Sequence, residues 1–200
     1  MKEIFTSLVA LVLGASALWS ATDGLRVVTT EGARRVAVRE KPVAVPNVKL
    51  QMMSGTFEAL LGVDQRVQLV EFIYTSCPTI CQTAGSDLAR LRDRLENDGY
   101  ARKARILSIS FDPQNDNVAQ LRDYGERHGA DRVIWTIGRP RQEDLDKILG
   151  AFGVTVIPDG YGGYQHNAAI HVLSPSGKLS AILDTDDIEG VLAEIARLQA

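Results

Sequence analysis

Cysteine is nearly absent from this chain. Only Cys77 and Cys81 occur among 200 residues, so all thiol chemistry rests on one pair four positions apart. Histidine is equally sparse, with His128, His166 and His171. Neither sign of charge is in excess: 22 Lys and Arg stand against 25 Asp and Glu, interspersed, for a net charge of -3. With no basic patch, nucleic-acid binding is disfavoured. Internal repeats and low-complexity tracts are missing, and nothing in the composition suggests disorder. There is no Ser/His/Asp constellation, phosphate-binding glycine loop or zinc-protease helix, which removes those enzyme classes. Long hydrophobic runs are absent too, with one exception, at residues 4–19.

That run follows Lys2 and ends at Trp19, with Ala15-Ser16-Ala17 as a small-residue cleavage site. It reads as an export signal, or as an uncleaved membrane anchor closed by an interfacial tryptophan. No cysteine lies near it to accept a lipid. The chain is therefore expected to work outside the cytoplasm, in the periplasm or on the outer face of the inner membrane. The organisation expected is a signal or anchor over 1–21, a linker or N-terminal extension over 22–49 and one folded domain over 50–200. Within the extension, the β-prone pieces Val27-Val28, 36–38 and 43–45, punctuated by Pro42 and Pro46, suggest a hairpin or edge strand.

The folded part alternates. An apolar, β-prone segment at 67–74 leads into the cysteine pair, and Leu88, Leu91 and Leu95 then recur at helical spacing. A second strand is expected at 105–111, a turn at 112–116 and a helix at 117–128. A short strand at 132–136 and a helix at 141–152 follow. Strands at 168–173 and 178–183 are joined by Ser174-Pro175-Ser176-Gly177, and Asp184 to Asp186 offer caps for a last helix ending at Leu198. Strands alternating with helices, then a hairpin and a closing helix, define an α/β domain with a central mixed sheet covered on both faces. A cysteine motif in its first strand-to-helix turn points to a thioredoxin-like fold.

At the start of a helix, unsatisfied N–H groups and the positive end of the dipole favour thiolate over thiol. Cysteines four apart on one turn share a face, close enough to form a disulfide or to hold one soft metal ion. A structural disulfide, redox exchange and metal binding all remain open on this evidence. Thioredoxin-like redox enzymes generally carry two residues between the cysteines, whereas this chain has three. Redox exchange needs no histidine, but copper is well served by two thiolates and an imidazole. His128, at a helix end before Gly129, suits the helix dipole. His171, among Ile170, Val172 and Leu173, reads as a packed strand residue. If one strand ran from 166 through 171, the two histidines would face opposite ways. His166, after the glycine-containing loop 159–165, is placed as a ligand or docking residue should be. Met52 and Met53 read as packing residues rather than thioether ligands.

Residues 72–82, Phe-Ile-Tyr-Thr-Ser-Cys-Pro-Thr-Ile-Cys-Gln, resemble the signature of the Sco/SenC proteins, an aromatic strand end followed by C-P-x-x-C. Residues 110–116, Ser-Phe-Asp-Pro-Gln-Asn-Asp, are similar to that family's S-x-D-P-x-x-D stretch, and His166 stands nine residues before Pro175 as in its copper-binding histidine pattern. The resemblance covers about 55–198. It departs from the pattern at Asn115, Gln165, Asn167, His171 and Ser174. It implies a thioredoxin-like, exported or membrane-tethered protein that binds copper through Cys77, Cys81 and His166. Such a protein serves the dinuclear copper centre of a respiratory haem-copper oxidase, by delivering copper or by reducing the oxidase cysteines. A metallochaperone is the reading so implied. The alternative is a thiol–disulfide reductase in which Cys77 attacks and Cys81 resolves.

Overall fold

A computed structural model describes residues 2–22, 24, 29–62, 65–76 and 80–199, with the backbone alone for 2–3 and 80–84. The chain divides into two units, 1–41 and 42–200.

The first unit begins with helix α1 (Lys2–Ala21), whose window Ile4–Ala21 is long and apolar enough to cross a membrane. Helix α2 (Thr30–Glu40) follows. The hairpin expected here is corrected, because 36–38 lie inside α2, whereas the edge-strand alternative holds at 43–44, which pair with 178–179 at the rim of the large sheet; Val27 and Val28 fall outside the described residues. Side-chain pairing explains the helix. The Thr29 hydroxyl caps it by accepting from the Gly32 amide at 2.9 Å. Glu31, in the first turn, accepts from Arg34 at 2.7 Å and Arg35 at 3.1 Å, three and four residues on. The Arg34 hydrogen bond foremost lowers the Glu31 pKa to about 2. These local bonds outweigh the β preference of two isolated valines.

The second unit is built on an eight-stranded mixed sheet. Its strands are β1 (Val43–Ala44), β2 (Lys49–Met52), β3 (Phe57–Ala59), β4 (Val67–Ile73), β5 (Ala104–Ser110), β6 (Trp135–Pro140), β9 (Ile170–Leu173) and β10 (Lys178–Leu183), in the order β1-β10-β9-β4-β5-β6-β2-β3. Strands β4, β5 and β6 are parallel and the other pairings antiparallel. A separate two-stranded sheet joins β7 (Val156–Pro158) to β8 (Tyr164–His166). The helices are α3 (Ile80–Asn97), α4 (Val118–His128), α5 (Gln142–Phe152) and α6 (Ile188–Leu198).

Alternation along β4 decides which helix each residue meets. Leu69 joins the cluster of Leu88, Leu91 and Leu95 from α3 with Val191, Leu192 and Ile195 from α6. Phe72 points to the other face and meets Phe152 of α5 edge-on, ring centres 5.1 Å apart. The sheet is covered on both faces, as the sequence led us to expect.

Three elements differ from expectation. Strand β6 begins at Trp135, three residues later than 132, because Asp131 accepts hydrogen bonds from the amides of Val133, Ile134 and Trp135 at 2.8–2.9 Å and holds them in a turn. The cap of α6 is Asp187, which accepts from the Gly190 amide at 3.0 Å, rather than 184–186. The loop before His166 closes into the β7–β8 hairpin, with Tyr161 at its turn 98% exposed.

Candidate metal and thiol site

Strand β4 delivers the chain to Tyr74, Thr75 and Ser76, and α3 starts at Ile80. Cys77, the first expected ligand, lies outside the described residues. Cys81 is the second residue of α3, described for its backbone alone. The first turn of α3 carries no acidic residue, so its dipole is not neutralised there.

The approach to the cysteines is pinned from below. Asp116, 1% exposed, accepts from the Thr75 amide at 3.0 Å, the Thr75 hydroxyl at 2.5 Å and the Ser110 hydroxyl at 2.5 Å. Ser110 in turn accepts from the Asp112 amide at 3.1 Å. Asn115 donates to both carboxyl oxygens of Asp112, and Arg139 donates to the Pro113 carbonyl at 2.6 Å. The 112–116 turn is thus a bracket fastening the end of β4 two residues ahead of Cys77. The sequence singled out this stretch but gave it no task. Its bonds span 41 residues, and no local spacing signals that.

His166 ends β8, and its Nε2 lies 3.1 Å from the Phe72 carbonyl. A carbonyl only accepts, so Nε2 carries the hydrogen and the neutral ring keeps its lone pair on Nδ1. Burial lowers the His166 pKa, and the bond to Phe72 works in the opposite direction. The ring rests against Phe111, 5.0 Å between centres, and Tyr164 packs edge-on against both Tyr74 and Phe111. The hairpin is fastened further by Asn167, which donates to the Gly153 carbonyl at 3.0 Å and accepts from the Thr155 amide at 2.8 Å. This aromatic cradle ties His166 to the strand end that leads to the cysteines.

The other candidates fall elsewhere. His171, 1% exposed, is wedged between Phe72 and Phe152. Because β8 and β9 belong to different sheets, the parity argument relating His166 to His171 does not apply. Met52 and Met53 are buried, against Gly138 and Gly125 respectively, as packing residues. His128 packs at a tilt against Tyr124, ring centres 4.5 Å apart, and burial, with Arg127 beside it, lowers its pKa. A Cβ on Gly85, one turn beyond Cys81, would overlap the His128 ring. Gly85→Val is therefore expected to cost about 1–3 kcal/mol through overcrowding, read as a lower urea midpoint at unchanged m. An unchanged midpoint would show that His128 swings aside freely.

The fold and the position of the pair, at the first strand-to-helix turn, define a thioredoxin-like α/β protein. The chain belongs to the SCO1/SenC family, whose model matches residues 56–200. It is 27% identical over 132 residues to the SCO1 protein homolog of Bacillus subtilis, covering 64% of this chain and 67% of that one. Among solved structures, BsSco, described as a member of the Sco family of cytochrome c oxidase assembly proteins with a disulfide switch, matches with a TM-score of 0.69 at 21% identity, over 79% of this chain and 94% of its own. The copper-bound ScoI of Bradyrhizobium japonicum matches with a TM-score of 0.64 at 19% identity, over 78% and 98%. At these identities the two structures speak to the fold.

Proposed function

We propose that this protein is an exported copper carrier that holds one copper ion through the thiolates of Cys77 and Cys81 and the Nδ1 of His166. The recipient in this reading is the dinuclear copper centre of a haem-copper respiratory oxidase. The observation carrying it is the state of His166: its Nε2 is committed to the Phe72 carbonyl, and burial disfavours its charged form. A neutral ring with its lone pair on Nδ1 is what a metal ligand requires, and the bond on the far nitrogen fixes its orientation. Two sulfurs and one imidazole match copper by softness. Membership of the SCO1/SenC family and the copper-bound relative support the choice of metal. Helix α1 supports export, with the domain periplasmic or tethered to the outer face of the inner membrane. Nothing turns over, so this is a binding protein rather than an enzyme.

The test is anaerobic copper titration of the reduced chain in detergent, beside His166→Ala and the double variant Cys77→Ser/Cys81→Ser. One-to-one binding is expected, weakened at least a hundredfold by His166→Ala and abolished in the double variant. Binding indifferent to His166, together with ready reduction of a disulfide substrate, would overturn the carrier reading in favour of a thiol–disulfide reductase.

A further inference from the structure

The proposed copper site makes no use of a basic cleft at the β3 end of the large sheet. Arg139 of β6 and Phe57 of β3 are both register partners of Gln51 in β2. Residues directly opposite each other in antiparallel strands point to the same side, so these three side chains form a row across one face. Pro113, Pro140, Arg141 and Gln142 close the row into a cleft of about 230 Å³.

Among the described residues two guanidinium groups line this cleft and no carboxyl group does. The Arg139 charge is met by neutral oxygens only. Its Nε and Nη2 donate to Gln51 Oε1 at 3.1 and 2.7 Å, and its Nη1 donates to the Pro113 carbonyl at 2.6 Å. Of its five N–H groups, one on each terminal nitrogen has no acceptor among the described residues. An arginine only donates, so the Gln51 carbonyl oxygen is the atom facing it, in the place one oxygen of a carboxylate would take. Arg141 has one carboxylate near it, Glu143, at 3.4 Å, and both side chains are mostly exposed. Such a pair does little to cancel its charge. Spare donors and uncancelled positive charge call for an anion, and the planar fork of Arg139 suits a carboxylate.

Size and position narrow the source of that carboxylate. Pockets for drug-sized ligands run to roughly 300–1,000 Å³ and enclose most of the ligand. This cleft is smaller and open, with room for a side chain. It lies beside β3, the outermost strand, which is paired only on its β2 side among the described residues. All three β3 residues are exposed, Phe57 by 56%. An edge of this kind offers its backbone to an added strand. Phe57, Pro113 and Pro140 give the stem of an incoming side chain an apolar wall. The carboxyl of β3 itself, on Glu58, alternates to the side opposite Phe57.

We propose that this cleft is a docking site for an acidic segment of a partner protein, which lies along the β3 edge and places an Asp or Glu carboxylate on Arg139 and Arg141. Neither copper nor the cysteines take part, so the proposal goes beyond the carrier reading and does not rest on it. Because Arg139 also holds the Pro113 carbonyl, a partner docked here touches the turn that fastens Thr75.

The test takes the reduced, copper-free full chain in detergent, labelled with 15N, and two blocked pentapeptides. Ac-Val-Glu-Val-Glu-Val-NH2 carries its acids on one side of an extended strand, and Ac-Val-Gln-Val-Gln-Val-NH2 is its uncharged match. The acidic peptide is expected to shift the Arg139 side-chain N–H and the amides of β3 saturably, and to bind at least about tenfold tighter than its match. Arg141 is exposed and makes one long contact, so Arg141→Gln tests charge without disturbing the fold. It is expected to weaken the acidic peptide about two- to fivefold. Arg139→Lys keeps the charge but loses the fork, for a loss of about tenfold. Equal binding of the two peptides, or binding that survives both substitutions unchanged, would overturn the proposal. Glutarate binding as tightly as the acidic peptide would overturn it as well, since the cleft would then serve free carboxylates.

Discussion

Asp116→Ala is expected to lower the stability of the domain by about 3–5 kcal/mol, and the melting temperature by about 10 °C. One carboxyl group accepts three hydrogen bonds here, two from Thr75 and one from Ser110. Alanine strands all three donors in a place closed to water, and each buried donor left without an acceptor costs about 1–3 kcal/mol. The effect should be graded. Asp116→Asn keeps one carbonyl oxygen and is expected to cost about half as much. Thr75→Val removes one hydroxyl and spares the amide bond, for about 1 kcal/mol. Thermal unfolding checks the series. Copper affinity should fall with it, because the same bonds hold the backbone two residues from Cys77. A loss below 1 kcal/mol for Asp116→Ala would show that water replaces the carboxyl group and that the bracket is not what holds the loop.

The second large effect is an inverted pH dependence. The Glu71 pKa rises from 4.5 to about 8 on folding, chiefly through burial. The folded chain therefore binds this proton more tightly than the unfolded chain. The contribution is fully present below pH 4.5 and is lost as pH rises through about 8. Over that window wild type is expected to lose about 3–5 kcal/mol from this group. His166 and His128 work against it, since their lowered pKa values cost stability as pH falls through the histidine range. The difference between wild type and Glu71→Gln isolates the carboxyl. Urea unfolding at pH 5, 6, 7 and 8 should show the variant gaining on wild type at each step upward. Parallel curves would mean that Glu71 ionises in the native state without penalty.

Much of this architecture was legible because strong periodicity and local caps agreed. The segment from β4 to α4 carries a mainly apolar strand, leucines at helical spacing and the Asn117 cap, which accepts from the Ala119 and Gln120 amides. Where weaker local signals competed, the reading slipped. In α2, valines suggested strand, yet the Thr29 cap and the Glu31 pairs make a helix. At β6, the residues before Trp135 looked like strand, but the Asp131 carboxyl bends them. The β7–β8 hairpin escaped notice because strands of three residues leave almost no alternation to detect. In the site, the cysteine spacing and the placement of His166 marked the candidates. Their supports did not show. The grip of Asp116 on Thr75, the docking of His166 on Phe72 and the burial of Glu71 beneath α3 are tertiary facts.

The β7–β8 hairpin is not woven into the large sheet. It is clasped by the His166 ring on the Phe72 carbonyl, by the Asn167 bonds and by a bond from the Tyr164 amide to the Tyr74 hydroxyl at 3.3 Å. On the proposed ligand set, an ion would join this flap to the start of α3, linking positions 85 residues apart (166 − 81). The cargo is then a removable rivet. On that reading a loaded chain would be stiffer than an empty one, and its flap, with Tyr161 standing out at the turn, is expected to exchange amide hydrogens more slowly. A docking protein that feels that stiffness can tell full from empty without touching the metal.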